Sequence, residues 1–205
     1  KSTIDLIPSS AKSASLKLLD IGCGEGHFTD VIKKEFVNFE VHGLDYSVSA
    51  IDYAYKTYKA VNFITANAYH PPYQNEYFDI VVCNNLWEHV PDPLQMLRAM
   101  KRVLKPNGLL IISTPSRYRF SNLIKVFFGK EIEFMSTYHV TEYTIGQVKE
   151  QLRWEGFTTE RVYSPPIPAS NFVFTIIKGI MRVFMSIINS HHVLESTVFY
   201  AARKK

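Results

Sequence analysis

Two cysteines in 205 residues, Cys23 and Cys83, are too few for a disulfide framework, and neither sits in a CxxC or Cys/His spacing that would hold zinc. A reducing, cytoplasmic setting is the expectation. Net charge is only +4, so the electrostatic footprint of a nucleic-acid binder is missing. No apolar run long enough to span a bilayer is free of charge. No charged-then-apolar leader opens the chain, which begins at Lys1 rather than Met and leaves room for a preceding segment. Glycine is scarce too, nine in all, yet three fall on alternate positions in Gly22-Cys23-Gly24-Glu25-Gly26. The chain is organised around that concentration.

Before it runs Lys17-Leu18-Leu19-Asp20-Ile21, a short apolar strand; after it, His27 to Phe36 reads as a helix. Glycines at such a strand-to-helix turn let a ligand approach the backbone, and the helix N-terminus offers it N–H groups. The spacing is G-x-G-x-G, not the G-x-G-x-x-G of a dinucleotide site, and Asp20 would repel a pyrophosphate. A cationic ligand without phosphate suits a carboxylate there, and S-adenosylmethionine, with its ammonium and sulfonium, is such a ligand. Nineteen residues after Gly26, a second apolar run ends in Asp45, where a ribose diol is gripped in folds of this kind.

Strands and helices then alternate, the signature of a doubly wound α/β sheet. Strands are expected at about 17–21, 40–45, 61–65, 78–83, 109–113, 157–163 and 196–201, the last before a basic tail. Helices are expected from Val48, capped by Ser47, from Pro93 after Asp92, and from Ile145 after Thr144. Pro106-Asn107-Gly108 reads as a stop and turn. Residues 1–15 read as a Ser/Lys-rich arm or short helix leading into the first strand, and 16–205 as a single domain.

Leu18-Leu19-Asp20-Ile21-Gly22-Cys23-Gly24-Glu25-Gly26 resembles motif I of class I S-adenosylmethionine-dependent methyltransferases. Gly43-Leu44-Asp45-Tyr46-Ser47, Phe78-Asp79-Ile80-Val81, Trp87-Glu88-His89-Val90-Pro91-Asp92-Pro93 and Arg102-Val103-Leu104-Lys105-Pro106-Asn107-Gly108 match the branch that includes ubiquinone-biosynthesis, glycan- and small-molecule-modifying enzymes. Ile112-Ser113-Thr114-Pro115, His139-Val140-Thr141-Glu142-Tyr143-Thr144 and Gly156-Phe157 complete the likeness. It implies a Rossmann-like seven-stranded sheet of order 3-2-1-4-5-7-6, its last strand antiparallel. It also implies that Asp20, Gly22, Cys23, Gly24 and Gly26 surround the methionine part of S-adenosylmethionine and that Asp45 holds the ribose. Tyr46 would pack beside the adenine, and Asn67-Ala68, where relatives have Asp and a small residue, would touch its amino edge. Asn84 would offer its backbone to the ammonium.

For the chemistry, an oxygen or nitrogen acceptor needs a base, and His89 and His139 are the candidates, each with a bracing role as its alternative. Some relatives in the ubiquinone branch hold a divalent cation around the Glu-His pair; here Asn85 replaces the first carboxylate, and no metal is expected. His191-His192 reads as a solvent-facing turn. Tyr118, Phe120, Phe127, Phe128, Phe134 and Tyr138, interleaved with Arg117, Arg119, Lys125 and Lys130, read either as an acceptor-side wall for an anionic substrate or as satellite core and solvated charges. Residues 171–190 read as an amphipathic helical insertion whose Lys178 and Arg182 argue against spanning a membrane. A lid, a peripheral membrane contact and a dimer contact are its three placements.

The expectation is methyl transfer from S-adenosylmethionine, giving S-adenosylhomocysteine, to a small-molecule or lipid/glycan-linked acceptor, at oxygen. The alternatives are a non-catalytic S-adenosylmethionine-binding regulator and a nicotinamide-dependent oxidoreductase. Asn84-Asn85-Leu86-Trp87 lacks the Asn/Asp-Pro-Pro-aromatic motif of base methylation, so no nucleic-acid acceptor is expected. Monomer and homodimer both remain open.

Overall fold

The computed structural model describes residues 2–165, 172–187 and 194–205. Adjacent apolar residues in its strands serve opposite faces of one sheet, because side chains alternate along a strand. Leu19, Ile21, Val81, Cys83, Leu110 and Ile112 enter one core, with Trp87, Met96, Leu97, Met100, Val148 and Leu152 packed over them. Leu18, Ile80, Val82, Leu109 and Ile111 enter the other, under Ile32, Phe36 and Phe39. The unalternating apolar runs are therefore strands buried on both sides.

The strands are β1 (Lys17–Ile21), β2 (Glu40–Asp45), β3 (Asn62–Thr65), β4 (Phe78–Asn84), β5 (Leu104–Pro115), β6 (Phe157–Tyr163) and β7 (Thr197–Lys204). Their order is β3-β2-β1-β4-β5-β7-β6, with β1 to β5 paired in parallel and β7 antiparallel to both neighbours, as the family likeness implies. The helices are α1 (His27–Glu35), α2 (Val48–Thr57), α3 (Pro93–Val103), α4 (Phe120–Phe127), α5 (Ile145–Trp154) and α6 (Phe172–Ile187). Their starts are written in the sequence: Ser47 accepts from Ala50 N, Asp92 from Gln95 N with Pro93 behind it, and Thr144 and Gln147 form a reciprocal capping box.

Three readings change. Strand β5 begins at Leu104 rather than 109, since the expected stop at Pro106-Asn107-Gly108 is a bulge inside it: Phe78 pairs with Leu104, and Ile80 already with Leu109. Strand β7 runs on to Lys204, so the basic tail is strand, with Arg203 on Glu160 and Lys204 donating to the Leu104 carbonyl. The aromatic stretch after β5 contains α4, a helix absent from the expected set. Helix α6 occupies Phe172–Ile187 of the expected 171–190; Asn171, 188–190 and His191-His192 lie outside the described residues. No helix of the described residues is long and apolar enough to cross a membrane.

The segment read as an arm forms two short 3-10 turns, Ile4–Leu6 and Ser9–Ser13, and buries Leu6, Ile7 and Ala11 in the second core. Its start therefore lies against the ends of β1 and β4.

Candidate active site

The C-terminal ends of β1, β2, β4 and β5 come together on one rim of the sheet, where ligands of open α/β sheets bind. Gly22, Gly24 and Gly26 all have positive φ. A Cβ on Gly22 would lie 2.9 Å from Leu86 Cδ2, and one on Gly26 would lie 2.6 Å from the Phe63 ring. The loop therefore tolerates no side chain at either place and keeps its backbone close to the rim.

Asp20 is buried, and its Oδ2 accepts from the Thr29 hydroxyl at 2.7 Å. Burial pushes its pKa up to about 7; the Thr29 bond opposes this and the nearby Asp45 charge adds to it. Asp45 Oδ2 accepts from Gly24 N at 2.8 Å and Oδ1 from Ser47 N at 2.9 Å. The ribose candidate thus also ties the glycine loop to β2, and each oxygen keeps a second lone pair. Burial raises the Cys23 thiol and the two carboxylates raise it further, so it lines the site as a neutral side chain.

Two cavities share Gly22 and Asn85 as walls. One, of about 630 Å³, is lined by Asp45, Tyr46, Asn67, Ala68, Leu86 and His89 among others. Tyr46 is exposed there, ready to cover a ring, and Asn67 Oδ1 accepts from Tyr69 N at 2.9 Å. The other, of about 390 Å³, is lined by Asp20, Cys23, Asn84, Ser113 and, from the N-terminal segment, Ser2 and Thr3. Thr3 is buried and donates to Asn84 Oδ1 at 2.9 Å, as Ser113 does at 3.0 Å. Thr3 lies 81 positions away in sequence and carried no signal as a wall of the site.

Past β4, Asn85 takes a left-handed conformation (φ 48°), which asparagine tolerates better than most residues. The turn that follows buries Trp87 and Glu88 and leaves His89 exposed. The Glu88 carbonyl accepts from Val140 N at 2.8 Å and Thr141 N at 3.3 Å, clipping the β5–α5 crossover onto this turn. The two candidate histidines, 50 positions apart, thereby meet with ring centroids 4.9 Å apart. His89 Nδ1 lies 3.2 Å from the Tyr138 carbonyl, and His139 Nδ1 lies 3.0 Å from Glu142 Oε1. Glu142 is fully buried, salt-bridged to Arg119, and also accepts from Met135 N. A His with Glu three residues on was the available sign of that pairing.

One donor atom each from Glu88, His89 and His139 falls within 4.8 Å of the others. Burial raises the Glu88 carboxyl above the usual carboxylate range, and its Oε2 has no hydrogen-bond partner among the described residues. These three residues could hold a cation, whereas the sequence offered only Glu88 and His89 and no metal was expected.

Residues 19–112 match the family described as "Methyltransferase domain". This chain carries a class I S-adenosylmethionine-dependent methyltransferase domain. A Shewanella sp. protein named "Ubiquinone biosynthesis O-methyltransferase" is 32% identical over 121 residues, 56% of this chain and 50% of that one. A Mycolicibacterium smegmatis protein named "Probable S-adenosylmethionine-dependent methyltransferase" is 30% identical over 149 residues, 73% of this chain and 54% of that one. The chain thus spans about half the length of these relatives. The fold matches a crystal structure of an S-adenosylmethionine-dependent methyltransferase from Mesorhizobium loti with a TM-score of 0.68 at 18% identity, over 99% of this chain and 96% of that one.

S-adenosylmethionine is the cofactor of this methyltransferase domain, and the lining fits it. A buried carboxyl, once ionised, suits an ammonium, an exposed tyrosine an adenine face, and a carboxylate with spare lone pairs a diol.

Proposed function

We propose that the chain transfers the methyl group of S-adenosylmethionine to an oxygen of a small-molecule acceptor, with His139 as general base and His89 steering the acceptor. The observation that carries this is the anchoring of both imidazoles by their Nδ1 atoms, with His89 lining the larger cavity and His139 packed against His89. Their remaining nitrogens then point away from those anchors. Methyl transfer from a sulfonium is an in-line displacement, so alignment supplies much of the acceleration. Proton removal from a hydroxyl acceptor adds about a hundredfold or more. As the C–O bond forms, the C–S electron pair leaves with sulfur and the hydroxyl proton passes to His139.

A second reading rests on the Glu88, His89 and His139 donors. A divalent cation held there would lower the acceptor hydroxyl's pKa, and the same residues would serve as its ligands. Treatment with EDTA tells the two apart: activity survives under the first reading and is lost under the second.

The lipid-linked alternative draws on the exposed apolar side chains of α6, among them Phe172, Ile180, Val183, Phe184 and Ile187. The direct test incubates the protein and methyl-labelled S-adenosylmethionine with an extract of its source cells, then partitions the products. Label in the aqueous phase supports a soluble acceptor, and label in the organic phase a lipid-linked one. Labelled product made at the native rate by His139→Gln would overturn the base assignment. Cofactor binding with no transfer to any fraction would favour the regulatory alternative.

A further inference from the structure

We infer that Glu142 is a positioning residue: it fixes the tautomer and aim of His139, and through that imidazole the activity of the site. The inference rests on His139 acting at the rim, as proposed above. Glu142 lies fully buried at the end of the crossover that carries His139. Its Oε2 takes the Arg119 guanidinium, and its Oε1 takes Met135 N and His139 Nδ1. Arg119 is itself buried, and its guanidinium also donates to the Ser116 and Glu133 carbonyls. The carboxylate is therefore held from β5's end and from the middle of the crossover at once. It cannot turn to follow the ring; the ring must follow it.

A carboxylate engaged in this way presents only lone pairs to His139. Nδ1 must then carry the proton, and Nε2 is left with the lone pair that a base or a cation ligand needs. The Tyr138 carbonyl, also an acceptor alone, imposes the same choice on His89 at 3.2 Å. One short segment, 138–142, thus sets both rings. Most of the charge network could serve the crossover's folding alone, but that role would not require a histidine on the Oε1 side of the carboxylate. His139 is three positions before Glu142, with its side chain only 7% exposed, and it takes that side.

The test compares Glu142→Gln, His139→Gln and the double variant, in protein loaded with S-adenosylhomocysteine for spectroscopy and with labelled S-adenosylmethionine plus source-cell extract for transfer. A glutamine keeps size and one acceptor but adds an N–H₂ that can donate to Nδ1. Long-range ¹H–¹⁵N spectra of histidine-labelled protein should show His139 as the Nδ1–H tautomer in the native chain and shifted toward Nε2–H in Glu142→Gln. Transfer should fall at least thirtyfold with S-adenosylhomocysteine affinity within about twofold, and the double variant should be no slower than His139→Gln. An unmoved tautomer in Glu142→Gln, or a double variant slower than His139→Gln by the full Glu142 factor, would overturn the inference. If Glu142→Gln does not fold, Glu142→Asp answers the same question, since a shortened carboxylate keeps the charge and should retain the Nδ1–H tautomer with partial transfer. His139→Gln at native rate sinks the base assignment instead, whatever the tautomer of the Glu142 variant.

Discussion

With Asp20 facing the cofactor's ammonium, as we propose, cofactor affinity becomes a proton-linked quantity. Its pKa stands near 7 in the folded chain against 3.8 for the free side chain, chiefly because it is buried. The neutral acid must lose its proton to become the partner of an ammonium. Apparent affinity for S-adenosylmethionine should therefore rise between pH 5 and pH 7, by up to tenfold per unit, and flatten above, as titration calorimetry across that range can show. The sign for folding is the reverse. A carboxyl whose folded pKa exceeds its unfolded one contributes stability fully present below pH 3.8 and lost as pH rises through 7. Asp20→Asn should then melt higher than the native apoprotein at pH 8 while binding the cofactor at least tenfold more weakly. At Asp45, replacement by alanine removes the acceptor for Gly24 and Ser47 and, in the proposed reading, the ribose partner as well. A loss of about 1.5–3 kcal/mol in S-adenosylmethionine binding is expected, and unchanged calorimetric affinity would remove Asp45 from the ribose site.

Elements with local signals were legible in the sequence, and those set by distant contacts were not. Helix α5 could be read from Thr144, and its reciprocal cap with Gln147 makes Thr144→Ala cost about 1 kcal/mol in chemical denaturation. Glycine spacing and two strand-end carboxylates marked the proposed cofactor rim because a strand-to-helix turn and a strand end are themselves local features. The long β5 was cut short because proline, asparagine and glycine mark a bulge as readily as a turn. Thr3, the Arg119–Glu142 salt bridge and the meeting of His89 with His139 depend on segments tens of positions apart. No local periodicity reports such contacts. Helix α6 shows the same limit: Lys178 and Arg182 read as a polar stripe, whereas both are salt-bridged to Glu195 just before β7. Glu195→Gln removes that shared charge, and hydrogen exchange should show α6 amides less protected while those of β1 and β4 keep native rates.

At the scale of the molecule, the family likeness supplied the strand order, which alternating patterns alone did not contain. That order has a consequence for how the protein comes into being. Among the described residues, strand β6 pairs with no strand but β7, and β7 is their final stretch, Thr197–Lys204. During synthesis β1 to β5 can assemble as soon as they leave the ribosome, yet β5 must keep an open edge and β6 must wait beside it. Both are completed in one event, when residues 197–204 clear the exit tunnel and slide between them. Until that moment the nascent chain carries two unpaired strand edges, the condition in which partly made proteins associate with one another or call on chaperones.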